Sequence, residues 1–262
     1  MSPRPTNTVE LSDNLYWISG CYDMEGKHHQ VSVYLFAGAG ESLLIDSGSI
    51  IHTDGFIDEI ERLTDGRGPD TVVLTHQDLP HTGNVRSFRE NWNFDLYASF
   101  KGSSFSPELV GMGESTSVGM GDRFDVGNRT LEIANPMPPL SDAGHEISVY
   151  DPGSGTYFVA DGFGHYHDPD ECAAVWDDDR MHVSVEDMAE YYLDSLPWIH
   201  FVAPETVRAK TERLFESYDI ECLAPIHGNP VKGRRALDVY RDRFHESMVA
   251  LADGQEFETY AH

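Results

Sequence analysis

Leu74-Thr75-His76-Gln77-Asp78-Leu79-Pro80-His81-Thr82-Gly83-Asn84 follows the apolar run Thr71-Val72-Val73-Leu74. A short β-favouring run closed by a polar, proline-bearing turn predicts a buried strand that hands over to a helix. Two imidazoles and a carboxylate then leave the strand's end together. His76, Asp78 and His81 combine borderline nitrogen donors with a hard oxygen donor, a mixture that divalent zinc, iron or manganese accepts. Standing alone, the triplet reads as polar residues in a solvated loop. Three later segments give the reason to read it otherwise.

The stretch resembles the HxHxDH metal loop of the metallo-β-lactamase fold, in particular the branch of flavodiiron proteins and single-domain oxygen-binding diiron proteins, where the second histidine is an acid. Asp78 stands in that acid's place, and His76 and His81 match the outer histidines. Pro80 occupies the position of the motif's aspartate and offers no ligand atom. Further along, Leu43 to Gly48 resembles the family's early LLIDSG. Phe158-Val-Ala-Asp161-Gly-Phe-Gly164-His165 is similar to the segment carrying a bridging aspartate, and Ala224-Pro-Ile-His227-Gly-Asn-Pro230 to the turn supplying the last histidine. Met137 to Asp151 resembles another ligand-bearing segment. Aligning Tyr150 with the family tyrosine puts the ligand on Asp142, with His145 as the competing donor.

The resemblance implies one metal held by His76, Asp78, Asp142 and Asp161, and a second by Asp161, His81 and His227. Pro80 leaves the second set short by one ligand and its site weak. His28, His29 and His165 are alternative ligands or supports, because the flavodiiron branch brings a histidine near the metals from the loop that here holds His28 and His29. Three carboxylates against three imidazoles shift preference from zinc towards iron or manganese.

The remaining chain is consistent with that fold. Val9 to Gly20 reads as two short strands around Asp13-Asn14, and Val31 to Phe36 and Ser42 to Asp46 as a second pair, with Cys21 to His29 a loop between them. Phe56 to Leu63 has helical spacing, and Asn84 to Trp92 is the next helix. Asp95 to Ser99 is a strand. Lys101 to Met120 is rich in Gly and Ser, with a short helical stretch around Pro107 to Val110. Phe124 to Ala134 and Glu146 to Ala160 read as hairpins. Val185 to Leu193, Pro204 to Tyr218 and Leu237 to Leu251 are helices. The expected architecture is an α/β (α+β) αββα sandwich in one domain spanning residues 1–262, with no flavodoxin domain and no FMN.

Composition narrows the function classes. Of 262 residues 40% are hydrophobic, enough to bury a full core. Eighteen basic residues against 45 acidic ones give a formal charge of −27, with the acids spread along the chain. Self-repulsion of that size is relieved in concentrated salt, which points to a halophilic, acidic proteome. A nucleic-acid partner is disfavoured, since no basic stripe is visible. Cys21, Cys172 and Cys222 are odd in number, with no CxxC spacing, so neither a disulfide framework nor a thiolate zinc site is expected. Without an apolar signal core or membrane span, the expectation is a soluble cytoplasmic protein.

Three functional readings follow. The first is a non-haem diiron protein that binds or reduces dioxygen, acting as a sensor, a store or a reductase fed by a separate redox carrier. The second is a metal-dependent hydrolase, which Asp78 and Pro80 weaken. The third is a degenerate, metal-free binding module. Whether the chain is an enzyme is left open, and a homodimer is the expected assembly.

Overall fold

Residues 6–38, 40–99, 114–134, 146–196 and 198–259 are described by the structure, a computed structural model. One sheet takes β1 (Asn7–Ser12), β2 (Leu15–Met24), β3 (Lys27–Ala37), β4 (Ser42–Ile45), β5 (Thr71–Leu74), β6 (Asp95–Ser99) and β7 (Thr116–Val118) in sequence order. The two-residue β12 (Tyr166–His167) pairs with β3 beside that row. A second sheet runs β14 (Val231–Lys232), β13 (Cys222–Pro225), β11 (Thr156–Val159), β10 (Ser148–Asp151), β9 (Arg129–Ala134), β8 (Arg123–Val126). Helices α1 (Thr53–Leu63), α2 (Leu79–Thr82), α3 (Val85–Asn91), α4 (Val185–Ser195), α5 (Pro204–Ser217) and α6 (Arg234–Ala252) follow strands at their ends or flank the sheets.

The layer order follows from side-chain alternation, since successive strand residues face opposite ways. Trp17, Tyr34, Phe36, Ile45 and Val73 meet Ile133, Val149, Phe158 and Ala224 in one cluster between the sheets. Their neighbours Ile18, Val33, Leu35, Leu44 and Val72 turn outwards and pack with Phe56 and Ile60 of α1 and Val85 and Phe88 of α3. On the far side Tyr157, Val159 and Leu223 pack with Met188 and Tyr192 of α4, Val207 and Leu214 of α5, and Tyr240 and Phe244 of α6. Three apolar seams therefore bind four layers, helix, sheet, sheet, helix, which is the αββα sandwich expected from the sequence.

One stretch departs from expectation. Cys21 to His29 is a continuation of β2 and β3 rather than a loop, paired from Leu15↔Phe36 out to Met24↔Lys27. The hairpin closes on Glu25-Gly26, whose φ angles of 55° and 111° give the twist a two-residue hairpin turn needs. Its polar composition hides a strand whose alternate residues Cys21, His28 and Gln30 are buried, because β12 and the chain after it cover this part of the sheet. The helical stretch expected around Pro107 to Val110 lies outside the described residues, as do Asp142 and His145.

Candidate metal centre

Three strands end at one edge of the sandwich and each releases a candidate ligand two residues later: His76 after β5, Asp161 after β11 and His227 after β13. β11 and β13 run parallel with Val159 opposite Pro225, so Asp161 and His227 leave the sheet side by side. Carboxyl ends of parallel strands are where α/β sheets gather ligand-binding groups. His81 arrives from α2, the short helix that follows β5.

Asp161 is the centre of the group. Its Oδ1 lies 3.0 Å from His81 Nε2 and 3.4 Å from His227 Nε2, and its Oδ2 lies 3.4 Å from His76 Nε2. The two oxygens thus face two separate sets of donors. His81 and His227 form a metal-sized group with one side of the carboxylate, and His76 and Glu146 with the other. His76, His81 and His227 are buried, while the Asp161 side chain keeps 18% exposure and leaves the centre open to solvent.

Tautomers explain why such an arrangement calls for cations. His81 Nδ1 is 2.9 Å from Asp46 Oδ2, a carboxylate that accepts, so Nδ1 carries the hydrogen. His227 Nδ1 is 3.1 Å from the Gln30 carbonyl oxygen, which again can only accept, and 2.9 Å from His29 Nε2. Both rings therefore aim Nε2 lone pairs at the same Asp161 oxygen. Lone pairs facing a carboxylate repel unless a proton or a metal ion stands between them. In the metal-free chain a proton on His81 fills that role. Burial disfavours a charged His81, but the Asp46 and Asp161 carboxylates overcome it and hold this imidazole up at about 10. Burial likewise opposes a charged Asp161, yet hydrogen bonds from His227 and His81 hold it well below the usual carboxylate range. Burial pushes His76 down, keeping the neutral imidazole that metals bind. Such a donor set fits two cations sharing one carboxylate.

The other candidates fall in different places. Asp78 occupies the N-cap position of α2 without a side-chain capping bond and is exposed, its Oδ2 3.7 Å from His76 Nε2, so it reaches the centre from the solvent side. Pro80 sits in the first turn of α2, where its fixed φ is tolerated. His29 stands behind His227, with Tyr191 against both rings. Burial and the neighbouring His227 push His29 well below the ordinary imidazole value. His28, next in the chain, faces the other side of β3. His165 is a structural histidine: Nδ1 contacts the Tyr240 hydroxyl, Nε2 accepts from the Asn229 amide, and the ring stacks on Trp176. With both nitrogens engaged it supports the His227 turn, its own amide donating to the His227 carbonyl.

Two residues were missed as parts of the site. Glu146, read only as the first residue of a hairpin, is 5% exposed with Oε1 4.0 Å from His76 Nε2. Asp46, read only as part of a fold marker, orients His81. Its φ of 59° and full burial inside a run of apolar residues are the features that set it apart.

Comparison with known proteins fits this architecture. Residues 26–173 match the metallo-beta-lactamase superfamily. Among solved structures, the rubredoxin oxygen:oxidoreductase of Desulfovibrio gigas superposes with a TM-score of 0.75 at 17% identity, over 93% of this chain and 62% of that one. The flavodiiron protein of Giardia intestinalis gives 0.73 at 18% identity, over 96% of this chain and 61% of that one. A fragment of a putative diflavin flavoprotein from Nostoc gives 0.73 at 13% identity, over 95% and 97% of the two chains. This chain therefore spans about three fifths of the first two. No curated protein matches it.

Proposed function

The chain belongs to the metallo-β-lactamase superfamily, and from that footing we propose a dinuclear non-haem metal protein of the flavodiiron kind, which binds or reduces dioxygen or nitric oxide. The observation that carries this reading is the division of labour at Asp161, with one oxygen facing His76 and the other facing His81 and His227. Carboxylates at Asp161, Glu146 and Asp78 beside three imidazoles favour iron or manganese over zinc. When bound, such metals supply the one-electron chemistry that protein side chains lack. Electrons come from outside the residues described here.

The protein's own contribution is placement. Asp46 and the Gln30 carbonyl fix two imidazoles so that their Nε2 atoms converge on one carboxylate oxygen. Tyr191 and His29 pack against the His227 ring from behind, while the exposed edge of Asp161 and Asp78 admits a small ligand. His81 and Asp161 share the proton that leaves when a cation enters.

Metal content of protein purified without chelator tests the reading. About two irons per chain, with a visible or electron-paramagnetic change on exposure to nitric oxide that Asp161→Ala abolishes, is the expected result. Two zincs with ester or phosphodiester hydrolysis, or no metal under iron-replete growth, would overturn it.

A further inference from the structure

A second group of donors gathers on the face of β3 turned away from His227. His28 and His29 are neighbours on that strand, so their side chains leave by opposite faces. His29 reaches His227, whereas His28 Nδ1 lies 2.9 Å from Cys172 Sγ. β12 sets His167 opposite His28, and β2 sets Cys21 opposite Gln30 on the same face. Cys21 Sγ is 3.6 Å from His167 Nε2. One donor atom from each of the four residues lies within 4.8 Å of all the others. Cys21 and His28 are fully buried, His167 is 1% exposed and Cys172 is partly buried.

We propose that Cys21, His28, His167 and Cys172 form a structural zinc site of the Cys2His2 type, separate from the centre around Asp161. Zinc bonds of about 2.3 Å to sulfur and about 2.0 Å to nitrogen in a tetrahedron set neighbouring sulfur and nitrogen donors about 3.6 Å apart. Cys21 and His167 already stand at 3.6 Å. The His28 and Cys172 pair has to open by roughly 0.7 Å, and no pair has to close by more than about 1.5 Å, changes within reach of side-chain torsions.

Hydrogen bonding alone accounts poorly for the cluster. His28 Nε2 and His167 Nδ1 are buried without a hydrogen-bond partner, so two imidazoles have been taken out of water with their polar atoms only half satisfied. These are the ring nitrogens turned away from the thiols, so a cation among the four donors would sit on His28 Nδ1 and His167 Nε2. Four protein donors leave no open coordination position, the pattern of a structural rather than a catalytic zinc. Two thiolates and two imidazoles also select zinc over the harder cations that suit Asp161.

Such a site staples the β2–β3 hairpin to chain segments 146 and 144 residues away. It also braces the strand that carries His29 against His227. The sequence concealed it because the ligands come one each from β2, β3, β12 and the loop after β12, with no CxxC spacing to announce them.

Cobalt(II) titration of the full chain, stripped of metal and kept anaerobic, provides the test. The centre around Asp161 contains no sulfur, so a thiolate-to-cobalt charge-transfer band reports this site alone. The expected band saturates at about one cobalt per chain, is displaced by zinc, disappears in Cys172→Ser and survives in Cys222→Ser. Cys222 is a suitable control, because burial pushes its thiol up to about 12. Absence of the band in the unaltered chain overturns the proposal, as does a Cys21–Cys172 disulfide recovered from anaerobically purified protein. The unaltered chain decides the matter even where Cys172→Ser fails to fold.

Discussion

His81 Nδ1 lies 2.9 Å from Asp46 Oδ2, and that contact determines which ring nitrogen is free to face Asp161. The same aspartate accepts from the Thr75 amide at 2.7 Å and the Thr75 hydroxyl at 2.5 Å. It is held at φ 59°, a region that aspartate tolerates better than most residues. A buried carboxylate with this many donors is a fixed reference point for His81. It orients the ligand without belonging to the set around Asp161.

Asp46→Asn removes that reference. An amide can present its NH2 group to His81 Nδ1, which would move the ring hydrogen to Nε2 and block the face that meets Asp161. Partners of this kind typically govern metal affinity by about 10- to 100-fold. The expected result is that loss for one of two metals, read by titration of the stripped chain, with His76-side binding largely retained. Equal loss of both metals would show that Asp46 supports the fold rather than one ligand.

Stability against pH follows from the raised His81. Burial opposes its charge, but Asp46 and Asp161 hold it up to about 10, against about 6.5 in an unfolded chain. Between those values the native state binds more protons, so the contribution is full below about pH 6.5 and is lost as pH rises through about 10. Asp161 has the opposite sign: its stabilisation is present above the ordinary carboxylate value and is lost as pH falls through its lowered one. The urea midpoint of the metal-stripped chain should therefore fall from about pH 7 to about pH 10 more steeply than in His81→Gln. Bound metal, by displacing the His81 proton, should remove the difference. Parallel profiles for the two stripped proteins would contradict the assignment.

Much of the fold was legible because its signals are local. Strand runs such as Thr71 to Leu74 and helices such as Pro204 to Ser217 announce themselves by composition and period. The β2–β3 tip did not, since His28 and Gln30 are buried by a strand and loop that arrive 137 residues later in the chain, as Tyr166↔His29 is a pairing between distant segments. Motif resemblance picked out His76, His81, Asp161 and His227, which the structure brings together. It gave no place to Glu146, Cys21, His167 or Cys172, and put His28 near the Asp161 centre rather than on the opposite face of β3, because such placements exist only once separate strands are side by side. His165 was read as an alternative ligand or a support, and its partners Tyr240 and Asn229, which make it a support of the His227 turn, are invisible from its own neighbourhood.

The charge of −27 carries a separate expectation. Surface carboxylates repel over the Debye length, about 30 Å at 0.01 M salt and about 3 Å at 1 M. The chain should lose structure in dilute buffer and gain melting temperature as salt is added. Circular dichroism across a salt series measures this, and a sharp melting transition that does not move with salt would remove the halophile reading.

The ligands of the two metals are the last matter to test. On the His76 side Glu146 is buried with Oε1 4.0 Å away, while sequence resemblance pointed to Asp142, with His145 competing. Glu146→Gln keeps the shape and removes the charge, so it should weaken the first metal about 10-fold or more if Glu146 binds directly. A comparable loss in Asp142→Ala or His145→Ala, with Glu146→Gln unaffected, would return the ligand to the sequence assignment. On the His81 side Pro80 offers no donor, and among the described residues this set consists of His81, His227 and one Asp161 oxygen. Pro80→Asp places a carboxylate in α2 next to His81, and the lost constraint on φ costs little. Occupancy of the second metal should rise towards one per chain, while Pro80→Ala, which loses the ring but adds no donor, should leave it unchanged. Metal-to-protein ratios for these variants separate the cases: an equal rise in Pro80→Ala and Pro80→Asp would mean that loop stiffness, not a missing ligand, limits the second site.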